Sequence, residues 1–348
     1  MLFHNHSFTS RKSRLIGVAA VTVALALAVT GCSSSSGGSG STTKKNLAIT
    51  FVPKSLGNAY FNTSDKAGEA AIKTFGGKYA EVAPAEGSAN AQVPFINTLT
   101  QQQVGAIVLS SGDPKANCSA LAKAQKAGVK VVTFDSDTNS SCRDIFVNQA
   151  TAEGIAAAQV KILIAGIGET GEIAFLSATP NDTNQNTWIK LMSDELASKY
   201  PGIKIDGIAY GGDTDQVSFD KAAGLLQSYP NLKGIVSPTT VGITAAARYL
   251  STSTSKGKVF LTGLGTPNQM KPYVKDGTVK AFALWNPADL GTLAAYTAKA
   301  LIEGTITGKT GDTFTAGALG KFTVGADATV LLGDPYTFDA SNIDKFDF

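Results

Sequence analysis

From residue 47 onward, short apolar runs alternate with longer stretches whose apolar positions recur every three or four residues. Runs of this length read as buried strands, and the three-to-four spacing as amphipathic helices. The spacing predicts strands over 47–53, 79–84, 106–110 and 130–134. Between and after them it predicts helices over 62–75, 89–103 and 114–127, the last opened by Asp113-Pro114 as N-cap and first-turn proline. The same beat continues with helices over 151–165, 187–200, 216–229, 242–250 and 289–303, and strands over 172–177, 203–210, 234–237 and 259–263. Strands that alternate with helices build parallel sheets covered on both faces. So many units exceed one small sheet, and the strands divide near Asp144 to Gln149. The expected architecture is therefore α/β, with two doubly wound domains.

The start of the chain follows other rules. Arg11, Lys12 and Arg14 precede an uncharged apolar run, Leu15 to Val29, that is short for a membrane span. The run ends in Val29-Thr30-Gly31-Cys32, so residues 1–31 read as an export signal. The Ser/Gly-rich stretch that follows, 32–45, reads as a flexible tether.

Charge and reactive residues look different once that segment is set aside. Three of the 30 basic residues and none of the 27 acidic ones precede Cys32, so the remainder carries 27 of each. An even balance offers no basic face for nucleic acid. Both histidines, His4 and His6, also lie before Cys32. The remaining 317 residues thus cannot supply Ser-His-Asp or Cys-His catalysis, or a histidine metal site. No metal or cofactor is implied. Cys118 and Cys142 either pair in an oxidising compartment or stay as buried thiols.

Ligands of open α/β sheets bind beyond the carboxyl ends of the strands. The segments that fall there are 54–61, 111–113, 135–137, 178–185, 211–215, 238–240, 265–267 and 285–286. They are rich in Asn, Asp, Thr and aromatics, a mixture that suits a neutral polyhydroxylated ligand. Trp285 at a strand end needs a partner for its N–H. Gly166-Ile167-Gly168-Glu169-Thr170-Gly171 matches a dinucleotide fingerprint, but it ends a helix and opens a strand, the reverse of the required order. Asp135 and Asp137 are two apart in an extended segment and should face opposite ways, so they do not form an acid/base pair. An enzyme is not expected.

Several blocks together resemble the type I periplasmic binding proteins of the ribose-binding class, and within it the branch of rhamnose-binding proteins and autoinducer-2 receptors. They are 52–54 with 58–61, 131–137, 184–188, 237–242, 263–270, 283–287 and the ending 344–348. Val29 to Cys32 likewise resembles a lipobox, which would make Cys32 the lipidated first residue. The resemblance implies two Rossmann-like lobes joined by a three-segment hinge. The expected crossings lie near 147–150, near 284–286 and after Glu303. That assigns 46–148 plus 286–305 to the N-terminal lobe and 149–285 plus 306–348 to the C-terminal lobe. By the same resemblance the ligand-binding residues are Lys54, Asn58, Tyr60, Phe61, Asp135, Asn184, Gln185, Pro238, Thr240, Trp285 and Asn286. Autoinducer-2 receptors carry an Asp-Gln pair where this chain has Asn184-Gln185, so a charge is missing there. Rhamnose or a related deoxyhexose is the expected ligand and autoinducer-2 the alternative. The partners implied are an ABC permease and the membrane, with the protein monomeric.

Overall fold

The computed structural model describes residues 45–85 and 87–348. The signal segment, Cys32 and the tether to residue 44 lie outside the described residues.

The first sheet is built from β1 (Ala48–Val52), β2 (Lys78–Glu81), β3 (Ala106–Leu109), β4 (Lys130–Phe134) and β5 (Ile145–Asn148). Helices α1 (Ala59–Thr74), α2 (Ala89–Gln101) and α3 (Cys118–Lys126) connect its strands. The all-apolar β3 sequence, AIVL, is buried at every residue, as a strand covered on both faces must be. The second sheet follows with α4 (Ala152–Ile167), β6 (Thr170–Ser177), α5 (Thr183–Lys199), β7 (Gly202–Tyr210), α6 (Asp215–Ser228) and β8 (Leu232–Ser237). The second lobe continues through α7 (Thr240–Thr252), β9 (Phe260–Gly263), α8 (Pro267–Lys275) and β10 (Ala281–Leu284), the last outside that sheet. Helix α9 (Pro287–Glu303) then returns to the first lobe and packs along α1. A Cβ on Gly291 would lie 1.8 Å from the Ser64 carbonyl, so only glycine permits this approach of the two helices.

Strand order in the first sheet is β2-β1-β3-β4-β5, and the second sheet runs β7-β6-β8-β9, parallel throughout. Each order reverses once, between β1 and β3 in one lobe and between β6 and β8 in the other. These are the switch points where open α/β sheets leave a crevice.

The tail departs from the expected boundary. The hairpin β11 (Thr313–Thr315) and β12 (Lys321–Thr323) is followed by β13 (Thr329–Leu331), which pairs in parallel with β5 as a sixth strand of the first sheet. Strand β14 (Tyr336–Asp339) reaches the second lobe, where it pairs antiparallel with β10, and the residues after it bond to α8. The third crossing therefore lies at 332–335 rather than just after Glu303, and residues 306–331 belong with the first lobe. Buried Ile306, Phe314 and Val330 hold this segment there. Three-residue strands carry too few positions for periodicity to show. The chain also passes between the sheets at 149–151, between β5 and α4, and at 285–286, between β10 and α9.

Other element boundaries also differ from the sequence reading. Helix α3 begins at Cys118, not 114. The Asp113 carboxylate does accept from the Lys115 and Ala116 amides, but it caps a turn. Strand β5 and helix α8 carried no clear periodic signal. Cys118 and Cys142 form a disulfide, with Cα atoms 5.1 Å apart, that ties α3 to the turn after β4.

Candidate functional site

The loops at the two switch points face each other across one cleft. It is lined by Lys54, Asn58, Tyr60, Phe61 and Asp135 from the first lobe, by Asn184, Gln185, Pro238 and Thr240 from the second, and by Trp285 at the hinge. Ten of the eleven expected site residues thus come together. Asn286 does not join them. Its Oδ1 caps α9 by accepting from the Ala288 amide at 3.0 Å, and its amide donates to Asp289. A residue directly before an N1 proline is a natural helix cap.

Lys54, just past β1, is the cation of the cleft. Its ammonium donates to Asp182 Oδ1 at 2.6 Å and to Asn184 Oδ1 at 3.2 Å, both on the second lobe, and lies 3.9 Å from Asp135 Oδ2. Burial alone would push this amine down. Asp182, then Asp135 and Asp213, outweigh it and hold the pKa above the usual lysine value.

Asp135 ends β4 in the left-handed region, φ 61°, an uncommon conformation for a residue with a side chain. Its backbone carbonyl accepts from Gln149, at the first crossing, and from Asn184. Its carboxylate accepts from Ser110 Oγ at 2.7 Å. Burial raises its pKa, and Lys54 and Ser110 offset only part of that rise. Asp137 points elsewhere: Arg143 Nε donates to both of its oxygens and Thr133 to one. The two carboxylates thus bond to different partners.

The aromatic wall is tied together by one polar contact. Trp285 Nε1 donates to the Tyr60 hydroxyl at 2.7 Å, which supplies the partner a buried indole needs. Tyr60 also meets Phe61 edge to face, and Trp188 lies 5.9 Å from Trp285 between ring centres. Asn58 Oδ1 caps α1 through the Tyr60 amide, so what Asn58 can still offer a ligand is its NH2.

Gln185 lines the cleft and also bonds within the protein. Its Oε1 accepts from Ser177 Oγ and the Ala178 amide, and its Nε2 donates to Asp182 Oδ2. It therefore holds Asp182 in position. Sequence reasoning singled out neither Asp182 nor Trp188, Asp213, Thr239, Leu264 and Leu284, all of which build the cleft or its support. Their signal was position alone, since each except Trp188 sits at or just beyond a strand end. Asp182 also corrects one inference: the carboxylate missing at position 184 is supplied from two residues upstream.

The Gly166–Gly171 stretch ends α4 and opens β6, with Gly168 as the C-cap, and does not face the cleft.

Two doubly wound lobes closing on a buried polar and aromatic cleft define a solute-binding protein. The periplasmic binding protein domain matches residues 49–306. The chain belongs to that family, and it is an extracytoplasmic binding protein rather than an enzyme. It is 52% identical to a sugar ABC transporter protein from Actinomyces odontolyticus, over 86% of this chain and 97% of that one, with a TM-score of 0.70. An ABC transporter solute-binding protein from Clostridium phytofermentas with bound L-rhamnose is 36% identical over 86% of this chain and 98% of its own, with a TM-score of 0.83. LsrB from Clostridium saccharobutylicum in complex with AI-2 is 26% identical over 86% of this chain and 100% of its own, with a TM-score of 0.81.

Proposed function

We propose that this sugar-binding component of an ABC importer takes L-rhamnose or a related 6-deoxyhexose between its lobes and presents it to a membrane permease. The observation that carries the reading is the double character of the cleft. Asp135, Asn58 and Asn184 offer charged and amide groups for ring hydroxyls. Leu264, Leu284, Phe61 and Trp285 offer an apolar, buried surface for ring C–H groups and a methyl. A hexose with a hydroxymethyl group in place of that methyl would bury an unpaired hydroxyl, at a cost of about 1–3 kcal/mol. The similarity to the rhamnose-bound protein of Clostridium phytofermentas supports the same ligand.

One observation favours autoinducer-2 as a second reading. Lys54 and Asp135 stand at the positions that the receptor resemblance requires, and Asp182 restores a carboxylate beside Lys54. Calorimetric titration of the chain from Ser33 with L-rhamnose, other hexoses and autoinducer-2 separates the two. We expect heat with rhamnose; micromolar binding of autoinducer-2 and no heat with rhamnose would replace the first reading by the second. Asp135→Asn, which tolerates the left-handed backbone, should lose binding while staying folded.

The proposal includes lipidation at Cys32, a soluble monomer on a short tether, and no cofactor. Globomycin-sensitive processing of the exported chain tests the anchor; processing that continues in its presence would remove it.

A further inference from the structure

Asp213 sits in the turn between β7 and α6, and the sequence gives it no particular mark. The turn is stitched to the end of β6. Gly211 N donates to the Ser177 carbonyl at 2.8 Å and Gly212 N to the Ala178 carbonyl at 2.7 Å. Two successive left-handed residues follow, Gly212 at φ 64° and Asp213 at φ 49°. A side chain kept in that conformation by a fixed turn is placed, not incidental. It joins the cleft lining, opposite Lys54 and Asp135.

One oxygen of this carboxylate is used: Thr239 Oγ1 donates to Oδ1 at 2.6 Å. Its Oδ2 accepts from no group among the described residues. The charged groups that act on it are Asp182, Lys54 and Asp135. Lys54 is the single cation of the lining and already bonds Asp182. The lining therefore presents two carboxylates, Asp135 and Asp213, and one ammonium that is already bonded to a third carboxylate, Asp182. An incoming anion would meet uncompensated negative charge in a buried space, whereas a hydroxyl would find a charged acceptor.

We infer that Asp213 is a specificity residue of the sugar site: its second oxygen accepts a ligand hydroxyl, and with Asp135 it bars acidic sugars, so that the site takes neutral sugars. This rests on the sugar-binding reading above.

The test is calorimetric titration at pH 7.5 with a panel of neutral aldoses and 6-deoxyaldoses, L-rhamnose among them, and with D-galacturonate and D-glucuronate. It uses the wild type, Asp213→Asn and Asp213→Gly, since both replacements fit a left-handed backbone. We expect the uronates to bind the wild type at least 100-fold more weakly than the best neutral sugar. Each variant should lose at least tenfold in affinity for that neutral sugar. It should also narrow the neutral-to-acidic ratio at least tenfold, because removing the charge relieves the repulsion as it removes the hydroxyl acceptor. A uronate that binds the wild type within tenfold of the best neutral sugar overturns the inference and leaves sugar binding intact. So do variants that both bind within twofold of the wild type. If neither class of sugar binds the wild type, the sugar reading fails and the inference with it.

Discussion

Lys54 Nζ and Asp182 Oδ1 meet at 2.6 Å across the cleft, one from each lobe, and both side chains are buried. Breaking a buried pair typically costs 3–5 kcal/mol when the remaining charge cannot reach water. Here an opening of the lobes would re-solvate Asp182. The cost should therefore appear in closure more than in unfolding. Lys54→Met is expected to weaken ligand binding at least tenfold and to leave the ligand-saturated protein more open in small-angle scattering. A variant that closes and binds within twofold of the wild type would show that this pair is not the clasp.

Both tryptophans of the chain, Trp188 and Trp285, line the cleft. Intrinsic fluorescence should therefore report ligand binding directly. Emission is expected to change on ligand addition in the wild type and in each single Trp→Phe variant. Trp285→Phe should bind more weakly than Trp188→Phe, because it also loses the bond to Tyr60, a contribution of about 0.5–1.5 kcal/mol. Equal affinities would argue that the Trp285–Tyr60 bond does not organise the wall.

Burial pushes the Asp213 carboxyl up from 3.8 to about 6, with Asp182 adding to the rise. Between those two values the folded chain holds a proton at Asp213 that the unfolded chain has released. Stability from this group is thus full below about pH 4 and is lost as pH rises through about 6. Asparagine has no such loss. The ligand-free Asp213→Asn protein should be more stable than wild type at pH 7, by about 1–2 kcal/mol, allowing for partial solvent access. The gain should vanish by pH 4. Urea unfolding at both pH values checks this, and an equal difference at both would assign the effect to the Thr239 hydrogen bond instead.

The disulfide between Cys118 and Cys142 closes a loop across residues 24 apart in sequence. Constraining an unfolded loop of that length is worth about 3 kcal/mol. Neither cysteine lines the cleft. The Cys118→Ser/Cys142→Ser protein is therefore expected to unfold at lower urea concentration while its ligand affinity changes less than threefold. A large affinity loss would mean that the bridge positions Ser110 or Asp135 from a distance.

Much of the site was legible because strand ends are. A parallel strand buried on both faces must be apolar, as AIVL in β3 is, so its end is visible where polar residues begin. Lys54, Asp135 and Thr240 were found that way, or through blocks that resemble a known class. Gln185 was read as a ligand residue because type and position were right. Its partners, Ser177, the Ala178 amide and Asp182, are visible only in three dimensions. Asn286 was misplaced for a related reason, since capping and ligand binding favour the same side chain.

The sequence by itself determined the α/β alternation, the absence of histidine from residues 32–348 and the set of loops from which a cleft could be made. These depend on local periodicity and composition, which a single chain displays directly. Tertiary structure decided which loops face each other, that Asp182 rather than residue 184 supplies the carboxylate on Lys54, and that residues 306–331 return to the first lobe. Those outcomes depend on contacts between residues far apart in the chain: Lys54 and Asp182 are separated by 128 positions, and their 2.6 Å contact leaves no mark on the pattern around either.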